Sequence, residues 1–127
     1  IGRWQILNNK PLTIADSAHN EDGIKHLTYQ LDKIIYNELH IVIGTVNDKD
    51  VDKMLSLFPD QAKYYFCKAN IPRGLDAHIL QSKAENTQKF GKAYRSVKQA
   101  FAAARRSAND KDLIIIAGSI FVVAEAI

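Results

Sequence analysis

Two unbroken apolar runs, His40-Ile41-Val42-Ile43-Gly44 and Leu113 to Ala117, stand out from mixed surroundings. Successive strand residues face opposite sides of a sheet, so a strand apolar throughout is covered on both faces, as in parallel sheets. Shorter β-prone stretches accompany them: Trp4 to Leu7, Leu12 to Ala15, the aromatic-rich Lys63 to Cys67, and Gly91 to Tyr94. The turn-forming Asn8-Asn9-Lys10-Pro11 predicts that the first two of these pair antiparallel.

Between the strands, apolar positions recur at helical spacing. Ile24, Leu27, Leu31 and Ile34 mark a helix from Glu21 to Ile35. Val51, Met54, Leu55 and Phe58 mark a short one, capped by Asp48 or Asp50 and ended by Pro59. Asp76 caps a third, carrying Ile79, Leu80 and Ala84. Ser96-Val97-Lys98-Gln99 fits the capping-box pattern and starts a fourth at Val97, with a stripe of Val97, Phe101, Ala104 and Ala108. After a Gly118-Ser119 turn, Ile120 to Ile127 is apolar on most sides, which predicts a helix that is buried or covered by a neighbour. Strands alternating with helices predict an α/β fold: a Rossmann-like, doubly wound, mostly parallel sheet with one antiparallel edge strand and helices on both faces.

At 127 residues the expectation is one domain, spanning 1–127, large enough for a core without covalent staples. The lone Cys67 excludes an internal disulfide framework and fits a reducing, cytoplasmic setting. It has no activating neighbour in sequence and reads as a strand residue. His26 reads as a packed or half-exposed structural histidine. The net charge of +3 comes from basic residues scattered along the chain, which gives no argument for nucleic acid. Lys98, Arg105 and Arg106 lie off the apolar stripe of their helix and read as a solvated face. No histidine and cysteine spacing matches a structural metal site, and no apolar run reaches membrane-spanning length. Ile1-Gly2-Arg3 leads within a few residues into a strand, so we expect a piece of a longer polypeptide.

In a doubly wound sheet, ligands sit outside the carboxyl ends of the strands. The richest stretch of chemically able side chains, Asp16-Ser17-Ala18-His19-Asn20-Glu21-Asp22-Gly23, falls there, where a strand gives way to a helix. Asn20 suits the N-cap, and Glu21 and Asp22 suit the first turn at the positive end of the helix dipole. This pattern fits both a ligand loop and a well-capped helix start. Other loops at the same edge add Gly44 to Asp50 with Lys49, Arg73, and Gly118-Ser119. A Gly-x-Gly-x-x-Gly fingerprint, a P-loop and a Gly-x-Ser-x-Gly elbow are all absent. The pattern is half a site, with charges to hold anions but no cradle for all the phosphates of a nucleotide.

Gly2-Arg3, Asp16-Ser17-Ala18-His19-Asn20 and Gly118-Ser119, with Asn47-Asp48-Lys49-Asp50 and Pro72-Arg73, resemble the C-terminal domain of folylpolyglutamate synthase/dihydrofolate synthase, in the Mur ligase superfamily. The resemblance runs through nearly the whole chain, with Asp-x-Ala-His-Asn its most specific part. Glu21 departs from it, since many members carry Pro there. The resemblance implies an ATP-dependent amide ligase. ATP and Mg2+ are held mainly by an N-terminal ATPase domain of the same polypeptide. A carboxylate of dihydropteroate or a folate becomes an acyl phosphate, which the amine of glutamate attacks. It also implies ATP-binding roles for Arg3, Asp16, His19 and Asn20, and glutamate-binding roles for Lys49 and Ser119. No nucleic acid or membrane partner is implied. Two other readings stay open on the residues alone: a non-catalytic α/β docking module, and a receiver-like domain. The latter needs more acids near Asp16 and Lys49 than the sequence supplies.

Overall fold

A computed structural model describes residues 3–48 and 50–127. Among them the chain forms six strands and five helices. In chain order these are β1 (Gln5–Asn9), β2 (Leu12–Asp16), α1 (Glu21–Leu31), β3 (Leu39–Ile43), α2 (Val51–Leu57), β4 (Lys63–Phe66), α3 (Ala77–Glu85), β5 (Gly91–Ala93), α4 (Val97–Ser107), β6 (Leu113–Ala117) and α5 (Ile120–Ala126). The strands make one sheet in the order β1-β2-β6-β3-β4-β5. Only β1 runs antiparallel, against β2; the other pairings are parallel. This is the expected doubly wound architecture.

Both faces of the sheet are covered, which explains the two continuous apolar strands. On one face Ile14, Ile41, Ile43, Tyr64, Phe66 and Ile115 pack under α1, α2 and α3. On the other, Ala15, Val42, Tyr65, Ile114 and Ile116 pack under α4 and α5. β6 lies between β2 and β3 and is buried at every position. No helix among the described residues is long and apolar enough to cross a membrane.

The structure corrects four local expectations. Helix α1 stops at Leu31 and does not run to Ile35. The N–H groups of Lys33 and Ile34 donate to Gln30 and Leu31, a tightened turn that unwinds the helix while Ile34 still packs on the core. Ile79 is 49% exposed, because the buried stripe of α3 is Ala77, Leu80 and Ala84. Asp50 holds the N-cap position of α2, its carbonyl accepting from the Met54 N–H, but no side chain caps the helix; the Asp48 carboxylate accepts instead from the N–H of Asp50. Helix α5 buries Val122 and Val123 and leaves Ile120 and Phe121 45% and 44% exposed, open to a covering neighbour as expected. Finally, His26 is neither packed nor half-exposed but exposed, on the solvent side of α1 with its Nε2 2.8 Å from the Gln30 amide.

Candidate functional site at the carboxyl edge

The five parallel strands end along one edge, so the loops after β2, β3, β4 and β6 converge there. Because β1 is antiparallel to β2, with Gln5 opposite Ala15, Arg3 and Trp4 arrive at the same edge. Asp16 is 1% exposed and receives them. Its Oδ1 lies 2.8 Å from the Arg3 Nε and accepts from the Ala18 N–H at 3.0 Å, while Oδ2 accepts from the Trp4 N–H at 3.2 Å. A buried carboxylate is tolerated only when paired and hydrogen-bonded, and here it is both. Its lone pairs face the protein. The Arg3 side chain is half exposed, and apart from the contact of its Nε with Asp16 it has no partner among the described residues, so its remaining donors can meet an anion.

Two glycines let the loops approach. Gly118 has φ +105°, and a Cβ there would strike the Gly44 carbonyl. A Cβ on Gly44 would in turn come within 2.6 Å of the Cys67 carbonyl. The Gly118 N–H donates to the Ala18 carbonyl at 3.2 Å, tying the loop after β6 to the loop after β2. Ser119 is buried, and its Oγ accepts from the Phe121 N–H at 3.0 Å, so its own proton is available to another acceptor.

A cleft of about 350 Å³ opens beside this junction. His19, Asn20 and Glu21 form one wall, and Thr45, Val46, Asp48 and Asp50 form the other, with Lys53, Met54 and Leu57 of α2 behind them. His19 is exposed, with Nδ1 3.0 Å from the Ser17 carbonyl. A carbonyl only accepts, so Nδ1 carries the proton and Nε2 is left as an acceptor. Asn20 caps α1, its Oδ1 accepting from the Gly23 N–H at 2.8 Å, which leaves the amide NH2 as a donor. Glu21 spans Lys25 and Lys53 at 2.8 Å each. Those two ammonium groups pull its carboxyl down to about 2.

Of the residues expected from sequence, Arg3, Asp16, His19, Asn20 and Ser119 therefore share one edge. His19 and Asn20 line the cleft; Arg3, Asp16 and Ser119 do not. Lys49 lies outside the described residues. Arg73 is exposed, and its carbonyl accepts from the Asn47 N–H at 2.7 Å, so its backbone braces the loop after β3. The Glu21–Lys53 clasp was not legible from spacing, because Lys53 is an ordinary polar position of α2. Cys67 is buried, and burial together with the charge of Glu125 pushes its thiol up to about 12, which fits a strand residue with no nucleophilic role.

The opposite edge holds the one His/acid group among the described residues with metal-like spacing: Glu38, His40 and Asp112. Hydrogen bonds already fill it. His40 is fully buried, with Nε2 2.9 Å from Asp112 Oδ2 and Nδ1 2.8 Å from the Tyr65 hydroxyl. Nε2–H donates to the carboxylate and the tyrosine hydroxyl donates to Nδ1. Asp112 also accepts from the N–H groups of Glu38 and Asn109. Burial raises the Asp112 carboxyl, but the Asn109 N–H, His40 and the Glu38 N–H outweigh it and hold it below the usual carboxylate range.

Residues 2–120 match the family described as Mur ligase, glutamate ligase domain. The chain is 37% identical over 128 residues to a probable bifunctional folylpolyglutamate synthase/dihydropteroate synthase of Haloferax volcanii, covering 98% of this chain and 15% of the relative. It is 33% identical over 125 residues to the dihydrofolate synthase/folylpolyglutamate synthase of Escherichia coli K12, covering 97% of this chain and 29% of the relative. Among solved structures, E. coli FolC in complex with DHPP and ADP superposes with a TM-score of 0.89 at 32% identity, covering 98% of this chain and 30% of that one. The chain thus spans between 15% and 30% of the length of these relatives. With a match through nearly every strand and helix, it belongs to the Mur ligase family as a glutamate ligase domain.

Proposed function

We propose that residues 1–127 are the C-terminal domain of an ATP-dependent ligase that joins glutamate to dihydropteroate or a folate. The observation that carries this reading is the carboxyl edge itself. A half-exposed guanidinium held by a buried aspartate stands there with His19 and Asn20, in a chain similar to an ADP-bound synthase. In this reading a substrate carboxylate takes the γ-phosphoryl group of ATP, giving an acyl phosphate and ADP. The glutamate amine then attacks the acyl carbon, phosphate leaves, the amide forms and the amine gives up a proton.

The chain's own residues divide the work as follows. Arg3 contacts the phosphates and offsets negative charge developing during transfer. Asp16 is a positioning residue: its carboxylate is spent on Arg3 and two backbone N–H groups, so it acts on the nucleotide by aiming the guanidinium. His19 offers Nε2 and Asn20 its NH2 to the nucleotide. Ser119 donates its hydroxyl proton to the incoming glutamate, with Lys49 supplying charge for the same substrate.

The carboxylates at this edge do not make a good metal site. Glu21 is bound by two lysines, and Asp48 accepts from backbone. Mg2+ is therefore assigned to the N-terminal ATPase domain of the same polypeptide; a solved relative carries Mn, AMPPNP and L-glutamate. That domain would sit on the carboxyl edge, where Ile120 and Phe121 leave apolar surface beside Ser119.

The test is ADP release by the full-length polypeptide with ATP, Mg2+, glutamate and either dihydropteroate or tetrahydrofolate. Release that requires both glutamate and a pterin is expected, and Arg3→Ala is expected to slow it by roughly 10²-fold. No release with either pterin would remove the folate assignment.

A further inference from the structure

Among the described residues two non-glycine residues hold a positive φ, Gln88 at 64° and Trp4 at 46°. Gln88 has an ordinary reason. It closes the turn after α3, where the N–H groups of Thr87, Gln88 and Lys89 donate back to Ala84 and Glu85, and helices commonly end on a left-handed residue. Trp4 ends no helix; it lies just ahead of β1. For a side chain of its bulk the left-handed region is a steric outlier. Such a conformation persists only where the surroundings over-determine it, and such residues gather at functional sites.

Three contacts fix Trp4. Its N–H donates to Asp16 Oδ2 at 3.2 Å. Its half-buried side chain packs on the core beneath α1, α2 and α3. The next residue, Gln5, is already registered on β2 opposite Ala15. Rotation about the Trp4 N–Cα bond is φ itself, so this angle decides how the Arg3–Trp4 peptide stands against β1. At a common φ near −65° that peptide would be swung by about 110° relative to the strand. The consequence falls on Arg3, whose Nε lies 2.8 Å from the other oxygen of the same carboxylate. The left-handed turn thus delivers the Arg3 side chain and the Trp4 N–H to one buried acid, and leaves the Arg3 side chain half exposed at the carboxyl edge.

We propose that Trp4 is a positioning residue for Arg3: its left-handed backbone aims the guanidinium at the phosphates. The proposal rests on the ligase reading above, in which Arg3 meets those phosphates, and deepens it. A long arginine side chain loses rotamer freedom when it is ordered around a ligand. Here Nε is in place before the ligand arrives, so less is lost on binding and the other donors stand ready as charge develops. The strain at Trp4 is offset by the bond to Asp16 and by packing of the indole on the core. Glycine at this position would take the same φ without steric cost, but it would leave the turn unanchored.

The experiment uses the full-length polypeptide with Trp4→Gly, Trp4→Ala and Arg3→Ala, and the double variants R3A/W4G and R3A/W4A. Both Trp4 substitutions remove the indole and keep the N–H; they differ in that glycine accepts a positive φ and alanine resists it. A role in packing alone would make the two act alike. The readouts are kcat for ADP release and affinity for AMPPNP with Mg2+, with Tm as the check on folding. Trp4→Ala is expected to lower both, and Trp4→Gly to retain about tenfold more of each. In the Arg3→Ala background the two Trp4 variants are expected to agree within about twofold, because the effect passes through Arg3. Trp4→Ala matching or exceeding Trp4→Gly overturns the proposal, and so does a glycine advantage that survives in Arg3→Ala. AMPPNP binding needs neither a pterin nor glutamate, so that arm decides even for a polypeptide that releases no ADP. Affinity lowered by Arg3→Ala but equal in the two Trp4 variants sinks the proposal alone. Affinity unchanged by Arg3→Ala removes Arg3 from the nucleotide, and the proposal with it.

Discussion

At the amino edge of the sheet His40 is sealed from water and both ring nitrogens are bonded; at the carboxyl edge His19 is exposed and one ring nitrogen is unused. The same contrast holds for the acids and their partners. Asp112 spends its oxygens on a histidine and two backbone N–H groups, closing a network on itself. Asp16 spends its own just as fully, but on an arginine whose other donors face outward. Polar groups satisfied within the protein hold the fold, whereas groups held in place with bonding capacity left over are equipped for a ligand. Burial alone does not separate the two edges, since Asp16 and Asp112 are both buried.

Substitutions can break this contrast. The largest effect is expected from Asp112→Ala, which strands His40 and two N–H groups in the interior. The loss is about 3 kcal/mol or more, read by chemical denaturation, with ligase activity per folded molecule unchanged. A loss under about 1 kcal/mol would show the amino-edge network to be dispensable. Gly118→Val comes next, since it meets both the positive φ and the Gly44 backbone. It is expected to destabilise by at least about 2 kcal/mol and to lower activity by displacing Ser119.

His19→Ala should do the opposite of Asp112→Ala. It gives up one local hydrogen bond at an exposed position, so stability should stay within about 0.5 kcal/mol. Turnover by the full-length polypeptide should fall by roughly 10²-fold; near-normal turnover would remove His19 from the site. The smallest effect belongs to the Glu21 clasp. Its folded carboxyl is depressed from 4.5 to about 2, so its contribution is present above pH 4.5 and is lost as pH falls between those values. Comparison of Tm with Glu21→Gln across that range should show the wild type falling more steeply, and parallel curves would mean the clasp adds nothing.

The parts of this molecule legible in the sequence are those fixed by near neighbours. Leu113 to Ala117 is a strand over the bounds that its apolar run marks, because nothing else can be buried on both faces at that length. Asn20, Asp76 and Ser96 cap the helices they precede, since a cap needs only the next few N–H groups. Chain order and strand ends likewise sufficed to bring Asp16, His19, Asn20 and Ser119 to one edge, whereas Arg3 was marked only by the family resemblance. What escaped is set by distant partners. His40 reads as part of an apolar run, and the acid that neutralises its polarity is Asp112, 72 positions away. The end of α1 also escaped, because Ile34 stays on the core through a turn that helical periodicity cannot distinguish from another helical step.

The place of β6 has a consequence for how the domain is made. Synthesis delivers β2 early and β6 late, yet β6 is the strand that joins β2 to β3. Until residues 113–117 are available, β2 and β3 lack the strand that lies between them, and β1–β2 cannot join β3–β4–β5. The complete sheet therefore cannot form until almost all of the domain has been translated. Ribosomes stalled before residue 113 would display a chain with nearly all of its helices encoded but no closed sheet, a substrate for chaperones and proteases.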